Sequence, residues 1–251
     1  MQRWKAHFKD QKHDVDIDII NSENGFGNDP LSFTINGTAF CGEGFDDFHL
    51  TYPENYDFGS QEFQLLQWGT MERGYQYDLQ RFSLDITIPF PVINKITKET
   101  ENAFLHISYA FKEPAASDRL TRYILDDTTT SGEVQQVYDV SLHMNGEVYE
   151  SNASTLFFER DLLNIYRQIK DRYDMKCCFT CQWSEYSPYG NADFGTMMCY
   201  RRNKELYAQV HDKDTYFQYM EHIDFESKQE TSVCDEYEPR IHFEGYRGYC
   251  D

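Results

Sequence analysis

Four cysteines are the residues of this chain whose type and spacing best suit chemistry. Cys178-Phe-Thr-Cys181 has a two-residue gap, Cys199 follows after 17 residues, and Cys234 follows after 34 more. Zn²⁺ takes four thiolates at about 2.3 Å in a tetrahedron. A Cys-x₂-Cys turn aims two sulfurs at one ion while its backbone amides stabilise their charge. The second pair must then arrive from elsewhere in the chain. The spacing predicts Cys178, Cys181, Cys199 and Cys234 as the ligands of one structural zinc ion. Four thiolates leave no position open for water, so such a metal holds the fold together and does not act as a Lewis acid. The same residues also admit other readings. Free Cys is among the most buried residue types, so the four could simply be core residues. A thioredoxin-type pair needs its motif to open a helix in a βαβ setting, and four cysteines alone also suit an iron–sulfur cluster. Cys177 is assigned to packing, Cys41 to a strand, and Cys250 is a reserve ligand.

Catalytic signatures are sparse. No Gly-x-Ser-x-Gly elbow, phosphate loop, dinucleotide fingerprint or His-Glu-x-x-His occurs. His211-Asp212 and the carboxylates of Glu43, Asp46 and Asp47 are the remaining acid–base candidates, and in so acidic a chain such neighbours arise by chance. The expectation is a protein that is not an enzyme.

The elements that must position the cysteines differ between the two parts of the chain. Residues 1–152 read as strands. Asp14-Val-Asp-Ile-Asp-Ile19 alternates acid with aliphatic, the period of a half-buried strand. Leu31-Ser-Phe-Thr-Ile35 and Thr38-Ala-Phe-Cys41 flank Asn36-Gly37, and a second Asn-Gly pair at 145–146 separates 137–144 from 147–150. Asn-Gly between alternating runs is the strongest short hairpin signal, because both central residues of a type I′ turn need φ > 0. Further strand-like runs lie at 63–68, at 77–90 before Pro91, and at 103–111. Together they predict an antiparallel sandwich or open barrel. A polar excursion is predicted at 114–133. From 153 to 251 the pattern changes. Phe158, Leu162, Ile165 and Ile169 recur at spacings of four, three and four, which predicts an amphipathic helix over 155–171 that packs on the sheet. Strands are expected at 175–183, 196–201 and 205–211, and a second short helix at 214–223. The predicted class is therefore α+β, mainly β: an antiparallel β-rich region over 1–152, then a helix and a four-cysteine zinc clamp on a hairpin over 153–251.

Composition sets the partners. Asp and Glu number 43 against 23 Lys and Arg, a formal charge of −20, which repels nucleic acid and anionic membranes and attracts a basic protein. No apolar run approaches the length of a bilayer span. Seven cysteines without a secretion signal predict a reducing, cytoplasmic setting in which clustered thiols hold metal.

Cys178-x₂-Cys181, Ser187-Pro-Tyr-Gly190, Phe194-Gly-Thr-Met-Met-Cys199-Tyr-Arg201 and Cys234-Asp-Glu-Tyr-Glu-Pro-Arg240 resemble four-cysteine modules found in many uncharacterised bacterial and phage proteins. The closing Gly245-Tyr-Arg-Gly248 fits an uncharacterised bacterial domain family with the same module. The resemblance runs from the helix onward and covers the front half only vaguely. It implies a structural tetrathiolate zinc site at the same four cysteines. Families of this kind often accompany secreted toxins, so it also implies an immunity protein that neutralises a bacterial toxin, such as a basic toxin domain, by protein–protein contact. An enzyme of unrecognised class with its site in the β-rich half, and a phage or structural assembly protein, are the alternatives.

Overall fold

The computed structural model describes residues 1–22, 30–70, 74–112, 135–152, 157–186, 194–195, 197–219 and 222–240. The polar excursion at 114–133, the Ser187–Gly190 turn, the closing Gly-Tyr-Arg-Gly and Cys250 lie outside them. The fold is α+β and mainly β.

Among the described residues eleven strands precede the first α-helix: β1 (Gln2–Lys9), β2 (Asp14–Asn21), β3 (Leu31–Ile35), β4 (Thr38–Gly42), β5 (His49–Leu50), β6 (Leu65–Thr70), β7 (Gly74–Leu79), β8 (Ser83–Asn94), β9 (Thr100–Lys112), β10 (Gln135–Met144) and β11 (Glu147–Glu150). With β12 (Tyr173–Met175), which pairs with β8, they form a single 12-stranded antiparallel sheet in the order β11-β10-β9-β8-β1-β2-β3-β4-β5-β7-β6. The sheet curls as a half-barrel, the open-barrel form of the expected architecture and not two packed sheets. Both Asn-Gly hairpins form as the sequence predicts. Ile35 pairs with Thr38 around Asn36 and Gly37 at φ 50° and 85°, and Met144 pairs with Glu147 around Asn145 and Gly146 at 52° and 81°.

The expected run at 77–90 divides into β7 and β8, and β8 continues through Pro89 and Pro91 to Asn94. A proline inside a long strand is tolerated only where no ladder donor is needed. That condition is met here. β1 covers β8 from Ser83 to Thr87 and β12 covers it from Val92 to Asn94, so both prolines stand in the gap between the two neighbours.

Period-two alternation splits the sheet into an apolar and a polar face. Trp4, Ala6 and Phe8 of β1, Leu84, Ile86 and Ile88 of β8, and Leu105, Ile107 and Tyr109 of β9 are buried. Helix α1 (Phe158–Ile169) covers this face with Phe158, Leu162, Ile165 and Ile169, all fully buried and all on the predicted stripe. The Phe158 ring lies 5.6 Å from Tyr138 of β10 and 5.3 Å from Phe194, edge-on to both. The remainder is a three-stranded sheet of β13 (Ser184–Glu185), β14 (Met197–Cys199) and β15 (Glu226–Lys228), with short helices α2 (Lys204–Tyr207) and α3 (Lys213–Tyr219) around a second small core of Tyr200, Tyr207, Val210 and Tyr216. Two expectations change here. Residues 205–211, expected as a strand, open with helix α2. The run at 175–183 leaves β12 at Met175 and turns through a 3₁₀ segment at Cys178–Thr180. Phe179 and Thr180, both of types common in strands, are buried between the two cysteines and form a turn instead.

Candidate functional site

The 3₁₀ turn places Cys178 and Cys181 at its two ends, and the C-terminal segment wraps around it. Cys178 N–H donates to the Ser232 carbonyl at 2.9 Å and Phe179 N–H to Glu230 at 3.1 Å. On the other side Gln182 N–H donates to Glu238 and Arg240 N–H to Thr180, each at 2.9 Å. A bridge joins Cys181 to Pro239. Cys199 ends β14, where it pairs with Ser184 on one side and Glu226 on the other. Cys234 lies in the segment between the two sets of turn contacts, and its carbonyl accepts from Tyr237 N–H at 3.4 Å.

The thiols influence one another electrostatically. Cys178 hydrogen-bonds Cys199, and that bond favours Cys199 as the thiolate and Cys178 as the thiol, with burial pushing Cys178 up further. The Cys199 thiol is thereby lowered, helped by the backbone N–H and the guanidinium of Arg201. Burial raises Cys181, opposed by the backbone N–H groups of Glu238 and Trp183 that point at its sulfur, and the charges of Cys199 and Cys234 both reach it. Cys177, fully buried by the same turn, is pushed up to about 12 by desolvation, which fits the packing role expected of it. Cys41 lies on β4, as expected, with its sulfur 3.4 Å from His49 Nε2.

The side chains fit a tetrathiolate zinc in type and surroundings. At both Cys181 and Cys199 the N–H two residues on faces the sulfur, as it does where backbone amides stabilise metal-bound thiolate. They are not gathered as a finished coordination group: among the described residues, no three His, Cys, Asp or Glu side chains converge as ligands of one ion.

A buried polar seam ties this region to the sheet. Asn21 at the end of β2 exchanges two hydrogen bonds with Gln229, its Nδ2 donating at 2.6 Å and its Oδ1 accepting at 3.1 Å. Next to it, the Glu230 carboxylate accepts from Tyr186 O–H at 3.0 Å and Gly195 N–H at 2.7 Å. Gly195 has φ +96°, and a Cβ there would lie 2.9 Å from the Glu43 carbonyl, so glycine lets the loop after β4 come close. The Phe45 and Phe194 rings stack at 4.4 Å in that contact.

The acid–base candidates have local structural roles. Asp47 accepts from the N–H groups of Glu43 and Gly44 at 3.0 and 2.8 Å and shapes the loop around Asp46. Asp212 accepts from Thr215 N–H at 2.7 Å, the bond that lowers its carboxyl, while His211 gives its own N–H to Thr215 Oγ1.

Sequence reasoning missed a polar tract on the solvent face of the sheet. Register lines up Asp18, Lys5, Thr87, His106, Ser141 and Glu150 in one cross-strand row. The next row is Asp16, His7, Asp85, Ser108 and Asp139. Two clefts of about 530 and 570 Å³ lie over these rows and share Asp85 and Thr87. His7 bridges Asp16 at 2.8 Å and Asp14 at 2.9 Å, and the Asp16 bond leads in raising its imidazole. The rings of His106 and His143 lie 4.0 Å apart, with Thr87 Oγ1 3.1 Å from His106 Nδ1 and Ser141 Oγ 3.0 Å from His143 Nε2. Burial and the neighbouring His143 lower His106. The alternation of charged residues along β1 and β2 was the signal available, but only register shows that the rows meet.

No curated protein and no solved structure matches the chain. A family model does, over residues 2–184, so it spans the large sheet, α1 and the turn with Cys178 and Cys181 and stops before Cys199 and Cys234. The match thus lies mostly on the front half, which the four-cysteine resemblance covered only vaguely. Matched over most of its length, the chain belongs to DUF6304, a family of unknown function.

Proposed function

We propose that this is a cytoplasmic, non-enzymatic binding protein that neutralises a bacterial toxin by protein–protein contact, with one structural zinc ion on Cys178, Cys181, Cys199 and Cys234. The observation that carries the reading is the acid excess of 20 on a chain whose sheet leaves Leu66 and Trp68 more than half exposed. An apolar patch on an acidic surface suits a basic protein partner, with the charge steering the encounter and the patch supplying buried area. The zinc assignment is supported by the two sulfur-facing N–H groups and by the wrap of residues 230–240 around the Cys178 turn. Bound there, a closed tetrathiolate ion contributes folding energy and leaves binding to other surfaces. The test is co-expression with the product of the neighbouring gene. Restored growth of cells producing that product supports the reading, and unrelieved toxicity, or a harmless neighbour, overturns it.

A second reading has its own observation. The clefts over Asp85, Thr87 and His106 combine carboxylate, hydroxyl and a lowered imidazole, the group types an enzyme in the β-rich half needs. Turnover lost on Asp85→Asn and on His106→Gln, with folding intact, would favour it.

A further inference from the structure

The two edges of the large sheet are finished differently. At one end, β11 carries Glu147 and Glu150, Gln168 of α1 donates to the Glu150 carbonyl at 2.8 Å, and Arg172 reaches Glu147 at 3.3 Å and Tyr149 O–H at 2.6 Å. Charge and a covering helix are the usual devices that stop an edge from pairing with another chain. At the other end, β6 has the sequence Leu-Leu-Gln-Trp-Gly-Thr, with no charge and no proline. It pairs with β7 on one side and is the last strand of the order among the described residues. From Leu66 to Thr70 every residue is exposed, with Leu66 at 55% and Trp68 at 52%. The register puts these two on one face, opposite Asp78 and Gln76. Proteins seldom leave a leucine and a tryptophan this exposed on one face of a neutral end strand unless something packs there.

We propose that β6 is the docking edge: an extended, basic segment of a partner protein adds to it as the next antiparallel or parallel strand, with apolar residues at alternate positions beside Leu66 and Trp68. Strand addition draws affinity from main-chain hydrogen bonds and specificity from alternate side chains. Charge selects the occupant. A second copy would bring another −20 to the contact, whereas a cationic segment is attracted to the whole molecule. This deepens the protein-binding reading by naming its surface, and the two can fail separately.

The probe is a nine-residue peptide, Lys-Lys-Val-Thr-Val-Thr-Val-Lys-Lys, added to the full chain. Its controls are the same peptide with Glu for Lys and with Pro for the central Val. Saturable binding is expected for the lysine peptide, with at least tenfold slower amide exchange at residues 65–70 and a blue shift of tryptophan emission. Both controls and the Trp68→Lys variant, checked for folding by circular dichroism, should bind at least tenfold more weakly. Equal binding of the acidic or proline peptide, or unchanged exchange at 65–70, overturns the proposal. So does a homodimer in light scattering that Trp68→Lys splits, since the edge would then be filled by a second copy. If the peptide docks but no toxin is neutralised, the functional reading falls and the edge stands. If a toxin is neutralised equally well by Trp68→Lys, the edge falls alone.

Discussion

The Asn21–Gln229 pair offers the sharpest test of how the cysteine region is held. Both side chains are buried, Asn21 at 0% and Gln229 at 3% exposure, and they exchange two amide hydrogen bonds between residues 208 apart in sequence. Asn21→Leu keeps the volume but leaves a donor and an acceptor of Gln229 unpaired in the interior. At about 1–3 kcal/mol for each of the two orphaned groups, the expected loss is about 2–6 kcal/mol. Gln229→Met loses the same two bonds and should destabilise in the same direction. In the double variant no orphan remains between the two, so the losses should not add, and the double variant should be at least as stable as either single one. Urea unfolding of the four proteins measures this, with midpoints moving while the slope stays constant. Single losses below about 0.5 kcal/mol, or strict additivity, would refute a buried seam joining the C-terminal segment to β2, because at that size the sites behave as independent surface positions.

Other outcomes follow from the same structure. Protein purified without chelator should hold about one zinc per chain, and Cys181→Ser should lose most of the metal and unfold at lower temperature before any binding defect shows; less than about half an equivalent in the unaltered protein would sink the site. Acid should weaken the fold through His106. Its imidazole is lowered in the folded state, so it contributes fully above the unfolded value near 6.5, and that contribution is lost as pH falls through 6.5 toward its folded value. His7 is raised and has the opposite sign, its contribution being present in acid and lost as pH rises. His106→Gln should therefore flatten the loss of stability between about pH 7 and 5, and an unchanged slope would show that the shift does not matter.

What could be read from residues alone was local. The two Asn-Gly turns, the acid–aliphatic alternation of β2 and the stripe of α1 each depend on neighbours within a few positions, and each appears where expected. The misreadings are also local: near Cys178 and Glu205 short runs of mixed residues satisfy several periodicities, and tertiary contacts decide. Residues 230–240 fix the first as a turn, and the second packs Tyr207 against Tyr200 at 4.2 Å as a helix. The polar rows and the seam at Asn21 arise from pairings between distant segments, as does the place of β6 at the end of the strand order. No single stretch of sequence carries those pairings. The cysteines lie between these cases: their types and order were legible, and the segment that folds over them was not.

The most direct test of the central claim is a calorimetric titration of the purified chain with the product of the neighbouring gene. The account predicts saturable one-to-one binding that weakens as salt is raised, since screening reduces the attraction of a −20 chain for a basic partner. No saturable heat at micromolar concentrations, in low salt and with both proteins folded, would contradict it.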